Sequence, residues 1–157
     1  MHESRNARFV SHIANPEYTT PWERLIFGEG CIMKGAARQF FILALCYAVA
    51  GMVLGIVMAA THDHGEMPAH AHIMVAGWVM SAIFAFFYHL FPVIGASRMA
   101  RAHFWVQAVS GIVLVVSLFF LLKGNDNIEP ITALASVGFL IGTLMFVWNA
   151  LPVLKAA

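Results

Sequence analysis

The chain has 157 residues, the length of a single domain, of which 61% are hydrophobic and only 11% charged. With a mean hydropathy of +0.78, this balance excludes a soluble globular protein. A formal net charge of +1, with no basic patch, excludes a nucleic-acid-binding chain and by itself names no partner.

The first 36 residues are polar and mixed, and contain no short apolar core ending in a small-residue cleavage site, so no cleavable signal peptide is expected. Pro16, Pro21 and Trp22 lie here, with a short amphipathic helix expected around Pro21–Phe27, along the membrane surface. Residues 1–36 are expected to form a cytoplasmic N-terminal segment, and residues 37–157 a transmembrane domain. Cys31 and Cys46 form no Cys-x-x-Cys pair, which argues against a disulfide framework or a cysteine zinc site.

Four apolar stretches follow, Phe40–Ala60, Ala71–Phe91, Phe104–Leu122 and Ile131–Leu151, none holding an Asp, Glu, Lys or Arg. Each is about 20 residues, enough to cross a hydrocarbon core roughly 30 Å thick. The connections are short, so the expected fold is all-α: a polytopic membrane protein with four transmembrane helices in an up-down-up-down bundle. Pro68 suits the first turn of the second helix, Pro92 should end it, and Gly124-Asn125-Asp126-Asn127 marks a loop before Pro130. Gly51/Gly55, Gly77/Ser81 and Gly138/Gly142 repeat a four-residue spacing that lets backbones approach closely or leaves room for a flat cofactor.

Basic residues flank one side of this array: Arg5, Arg8, Arg24, Lys34 and Arg38 before the first span, Arg98 and Arg101 between the second and third, and Lys155 after the fourth. The opposite loops carry Asp63, Glu66, Asp126 and Glu129, with Lys123 as their one cation. The positive-inside rule therefore places both termini and the Arg98/Arg101 loop of this multi-pass protein in the cytoplasm; the expected location is a bacterial inner membrane, with lipid as its surroundings.

On the external side lies the most informative stretch, from His62 to Trp78. His62, His64, His70 and His72 are half of the chain's eight histidines and fall within eleven residues. Neutral imidazole ligates haem iron, copper and zinc. On a helix His70 and His72 point about 200° apart, so they serve one metal only if the helix starts unwound. Asp63 and Glu66 are candidates for oxygen ligands, or for orienting an imidazole through its second nitrogen. Met67 and Met74 are candidates for Cu(I), since thioethers suit that ion. The competing reading is a set of wet interfacial histidines beside Trp78.

His89 and His103 belong to the other end, roughly 25 Å from His72 by helical rise. They are expected to be interfacial residues flanking Arg98 and Arg101, with a second cofactor site including Tyr88 as the alternative. Phe84, Phe86, Phe87, Phe91, Phe104, Trp105, Phe119 and Phe120 read chiefly as packing and lipid-facing side chains. There is no phosphate-binding glycine loop and no Ser/His/Asp order, and no catalytic residue is assigned.

The run His72-Ile73-Met74-Val75-Ala76-Gly77-Trp78 resembles the second helix of the haem-copper oxidase and nitric oxide reductase catalytic subunit. The wider stretch from Gly55 to Tyr88-His89-Leu90-Phe91-Pro92 is similar to small subunit I-like membrane proteins. The resemblance covers residues 40–122. It implies that His72 is an axial ligand of haem b, with His70 a lesser candidate. It also implies that these residues hold no counterpart of the late-helix second haem ligand or of the binuclear centre. The expected function is thus a haem b-binding respiratory protein acting in electron transfer or as an accessory. His72, His70, His62 and Gly77 form its cofactor site, and the remaining ligand comes from His62, His64, His70, a homodimer partner or another respiratory-complex subunit. The alternatives are a copper or zinc protein using His62, His64, His70 and His72, and a non-redox structural subunit of a respiratory complex.

Overall fold

A computed structural model describes residues 32–155, and the compact unit that holds the helices begins at Lys34. The amphipathic helix expected at Pro21–Phe27, the processing of the N-terminus and Cys31 lie outside the described residues. The order of elements is α1 (Gly35–Thr61), α2 (Met67–Ala71), a π-helical segment (His72–Val79), α3 (Met80–Leu90), α4 (Pro92–Gly95), α5 (Arg98–Leu122), a 3-10 turn (Asp126–Ile128) and α6 (Glu129–Lys155).

α2, the π segment and α3 run on as one helix, so four helices are long and apolar enough to cross a membrane: Gly35–Thr61, Met67–Leu90, Arg98–Leu122 and Asp126–Lys155. The all-α polytopic bundle is as expected. Each span outlasts its apolar stretch because helical hydrogen bonding continues into the polar flanks until a cap stops it. The first ends at His62, whose left-handed φ of 56° closes the helix. The second starts with Pro68 in its first turn and breaks at Phe91, before Pro92. Ser97 caps the third, its hydroxyl accepting from the Ala100 N–H at 3.0 Å. The fourth does not stop at Leu151 as expected: the helix carries Pro152 inside it and continues to Lys155.

The first span packs on the second, and the third on the fourth; the third also touches the first. The glycine pairs lie at these seams. A Cβ on Gly51 would meet Ile73 Cγ2 at 3.0 Å, and one on Gly138 would meet Ser110 Cβ at 3.0 Å. In the fourth span only Ala135, Gly142 and Asn149 are buried, a seven-residue period that draws one narrow line of contact along the helix. Its Leu134, Leu140, Leu144 and Trp148 face outward, as a lipid-exposed surface requires.

The π segment occupies the second span where the oxidase-like run lies. The Met80 N–H reaches the Val75 carbonyl, an i to i−5 bond. Widening each turn in this way slows the rotation of the helix. Ala69, Ile73, Gly77, Ser81 and Ala85, spaced four apart, are all buried. In an undistorted α-helix such a row drifts by about 40° at each step.

Candidate functional site

At the histidine-bearing end, the second span begins helical from Met67 and is not unwound. His70 and His72 therefore diverge. His70 is half-buried and turns toward the first span, its Nδ1 3.0 Å from the Gly51 carbonyl. Gly55 makes this close approach feasible, since a Cβ there would stand 3.1 Å from His70 Cε1. His72 is exposed on the outer face, with its Nδ1 2.8 Å from the Pro68 carbonyl one turn earlier. A carbonyl oxygen only accepts, so each Nδ1 donates, and in the neutral ring the lone pair then resides on Nε2.

His62 caps the first span and His64 lies in the connection; both are exposed. No three His, Cys, Asp or Glu side chains gather closely enough for a metal ion among the described residues. The acidic residues do not orient imidazoles as expected. Asp63 Oδ1 accepts from the Gly65 N–H at 3.0 Å and shapes the turn. Glu66 is buried, and its Oε1 lies 2.7 Å from Lys123 Nζ in the loop after the third span. This neighbour holds the Lys123 ammonium above its ordinary pKa of 10.5.

Gly77 departs from expectation. It is buried on the inner face and receives the Tyr47 ring of the first span: a Cβ at 77 would lie 2.6 Å from Tyr47 Cγ and Cδ1. The room expected there for a flat cofactor is filled by this phenol.

The other histidine pair also separates. His89 is half-buried, whereas His103 is fully buried, at 0% exposure, and is not the interfacial residue that its neighbours Arg98 and Arg101 suggest. Asn149 Nδ2 donates to Tyr88 Oη at 2.9 Å, and Tyr88 Oη lies 2.8 Å from His103 Nδ1. Three spans thus meet at one polar knot. Phe40, Phe84 and Phe146 enclose it, with ring centroids 4.8, 4.8 and 5.8 Å from that of His103. Of the residues grouped in the alternative of a second cofactor site, the structure joins Tyr88 to His103 and leaves His89 out, and it adds Asn149. The missed signal was an asparagine inside an apolar span, a rare and costly placement that usually has a partner.

No protein-family model matches the chain, and no solved structure matches it. One curated relative is cytochrome c oxidase polypeptide 1 of Halobacterium salinarum, 28% identical over 150 residues, an alignment covering 83% of this chain and 24% of that protein. The chain thus spans about a quarter of the length of the curated relative it matches. What this supports is a multi-pass membrane protein distantly similar to a respiratory oxidase polypeptide.

Proposed function

We propose that the chain is a respiratory membrane protein of the inner membrane, with both termini cytoplasmic. It binds a b-type haem near its histidine-bearing end through His72 and serves in electron transfer or as an accessory to a respiratory complex. The observation that carries this reading is the His72 imidazole, exposed and held at Nδ1 by the Pro68 carbonyl. A histidine ligand commonly has its second nitrogen fixed by a carbonyl or carboxylate, which sets the tautomer and aims the other nitrogen at the metal. The distant similarity to an oxidase polypeptide supports the same assignment.

The donor set would supply one ligand to the iron, His72. His70 is directed to the first span, so it stabilises the helix pair and does not oppose His72. A further ligand would come from a residue outside this turn, on a second copy of the chain or on another subunit. A bound haem supplies one-electron redox chemistry whose potential depends on its ligands, hydrogen bonds and burial. The chain's own part is to hold the imidazole in one tautomer on a helix start fixed by Pro68. The π segment, a distortion frequent at functional sites, begins at that same residue.

The test is the absorption spectrum and metal content of protein purified from haem-replete cells. A Soret band with a reducible alpha band, lost in His72→Ala and kept in His64→Ala, is the expected result. A colourless protein overturns the haem assignment. Stoichiometric copper or zinc without iron would replace it with a metal-binding role for the external histidines. Unchanged assembly of a respiratory complex after replacement of all four would leave a structural subunit.

A further inference from the structure

Along three consecutive turns of α5, at His103, Gln107 and Gly111, buried polar atoms of α5 itself and then of Tyr47 on α1 have no protein partners among the described residues. The Tyr88 hydroxyl accepts the Asn149 amide N–H and lies against His103 Nδ1, the one acceptor within reach of its own proton among the described residues; donating there, it leaves the hydrogen of the neutral imidazole on Nε2. That N–H is buried and unpartnered. One turn on, Gln107 is 3% exposed, and both its carboxamide nitrogen and oxygen lack partners. A further turn on, a Cβ at Gly111 would meet Tyr47 Oη at 3.0 Å, and that hydroxyl is likewise buried and unpartnered. These atoms mark a seam about 12 Å long by helical rise.

Groups of this kind inside a membrane bundle are not left unmet, because neither lipid nor apolar side chains can replace the lost hydrogen bonds. Glycines make room for the polar heads without satisfying them. Gly142 takes the Gln107 carboxamide oxygen against its backbone, and Gly111 faces the Tyr47 hydroxyl. The seam offers a donor at His103, donors and an acceptor at Gln107, and a group of both kinds at Tyr47. It has no charged side chain. Mixed, neutral donors and acceptors in file match water, which needs two to four polar partners, and not an ion.

We propose that the interface of the first, third and fourth spans binds a short file of internal waters, bridging His103 Nε2, the Gln107 carboxamide and Tyr47 Oη. The file extends the Asn149–Tyr88–His103 chain to the phenol that lies against Gly77 in the π segment. It is independent of any haem.

Hydroxyl-radical footprinting of the full chain in lipid nanodiscs tests this directly, since radicals form where water is bound. Tyr47, 9% exposed, is compared with Met58, 4% exposed and three turns along the same helix, each rate normalised to its intrinsic reactivity. The expected result is labelling of Tyr47 several-fold above Met58, falling at least about threefold in Gln107→Met, which removes the central bridge at similar volume. A normalised Tyr47 rate no higher than that of Met58 overturns the proposal, as does a rate unchanged by Gln107→Met. Should that variant fail to fold, the comparison within the native chain decides alone.

Discussion

Replacing Tyr88 with phenylalanine removes one oxygen atom and keeps the ring that packs against Phe40 and Phe146. The hydroxyl makes two interhelical bonds, 2.8 Å to His103 and 2.9 Å to Asn149, among residues 1%, 0% and 6% exposed. Its loss strands an acceptor on the third span and a donor on the fourth. Interhelical hydrogen bonds in membrane proteins average about 0.6 kcal/mol and reach about 1.7, while a stranded buried group costs about 1–3 kcal/mol. Two bonds lost together place Tyr88→Phe about 1–3.5 kcal/mol below the parent. Asn149→Leu leaves Tyr88 still donating to His103, so it costs less. Equilibrium unfolding in mixed detergent micelles measures these values, and a double-mutant cycle of Tyr88→Phe with His103→Phe isolates the bond itself. A Tyr88→Phe cost under about 0.5 kcal/mol, or strict additivity in the cycle, would refute the knot as a stabilising element.

Two further outcomes follow from the same packing. Gly77→Ala drives a methyl to 2.6 Å from the Tyr47 ring and should destabilise the bundle by about 1–3 kcal/mol, as overpacking does; Tyr47→Leu relieves it and Tyr47→Phe, which keeps the ring, does not, as thermal unfolding will show. The Lys123–Glu66 pair sets a pH dependence. A cation whose pKa is raised in the fold contributes stability that is complete below its ordinary 10.5 and is lost as pH climbs through the higher folded value. The thermal midpoint of the native chain should therefore fall more steeply above pH 10.5 than that of Lys123→Met, and parallel curves would show that the ion pair contributes nothing.

The divergence of the two helical histidines was legible in the sequence. That His70 and His72 diverge on a helix followed from its rotation, and because the structure keeps the start helical it separates them: one against Gly51, one outward. The partners of Glu66 and His103 were not legible. Glu66 lies near four histidines in sequence, yet its carboxylate pairs with Lys123, 57 positions away, because the starts of even spans and the ends of odd ones meet at the same membrane face. His103 sits beside two arginines, so its neighbours suggest an interface. The direction of its side chain, set by the phase of α5, carries it inside instead.

The sequence by itself determined the class of this protein: apolar runs of about 20 residues free of charge match the length of membrane-crossing helices, which satisfy every backbone group within the segment. It determined the helix start at Pro68 and the break at Phe91-Pro92, because these depend on local backbone chemistry. Only the tertiary structure decided which faces turn inward. The π segment at His72–Val79 shifts the phase of the second span, which brings Gly77 under Tyr47. The polar knot joins Tyr88 to residues 15 and 61 positions away. Hydropathy is a property of each segment, whereas a hydrogen bond between helices depends on the rotation of both about their axes.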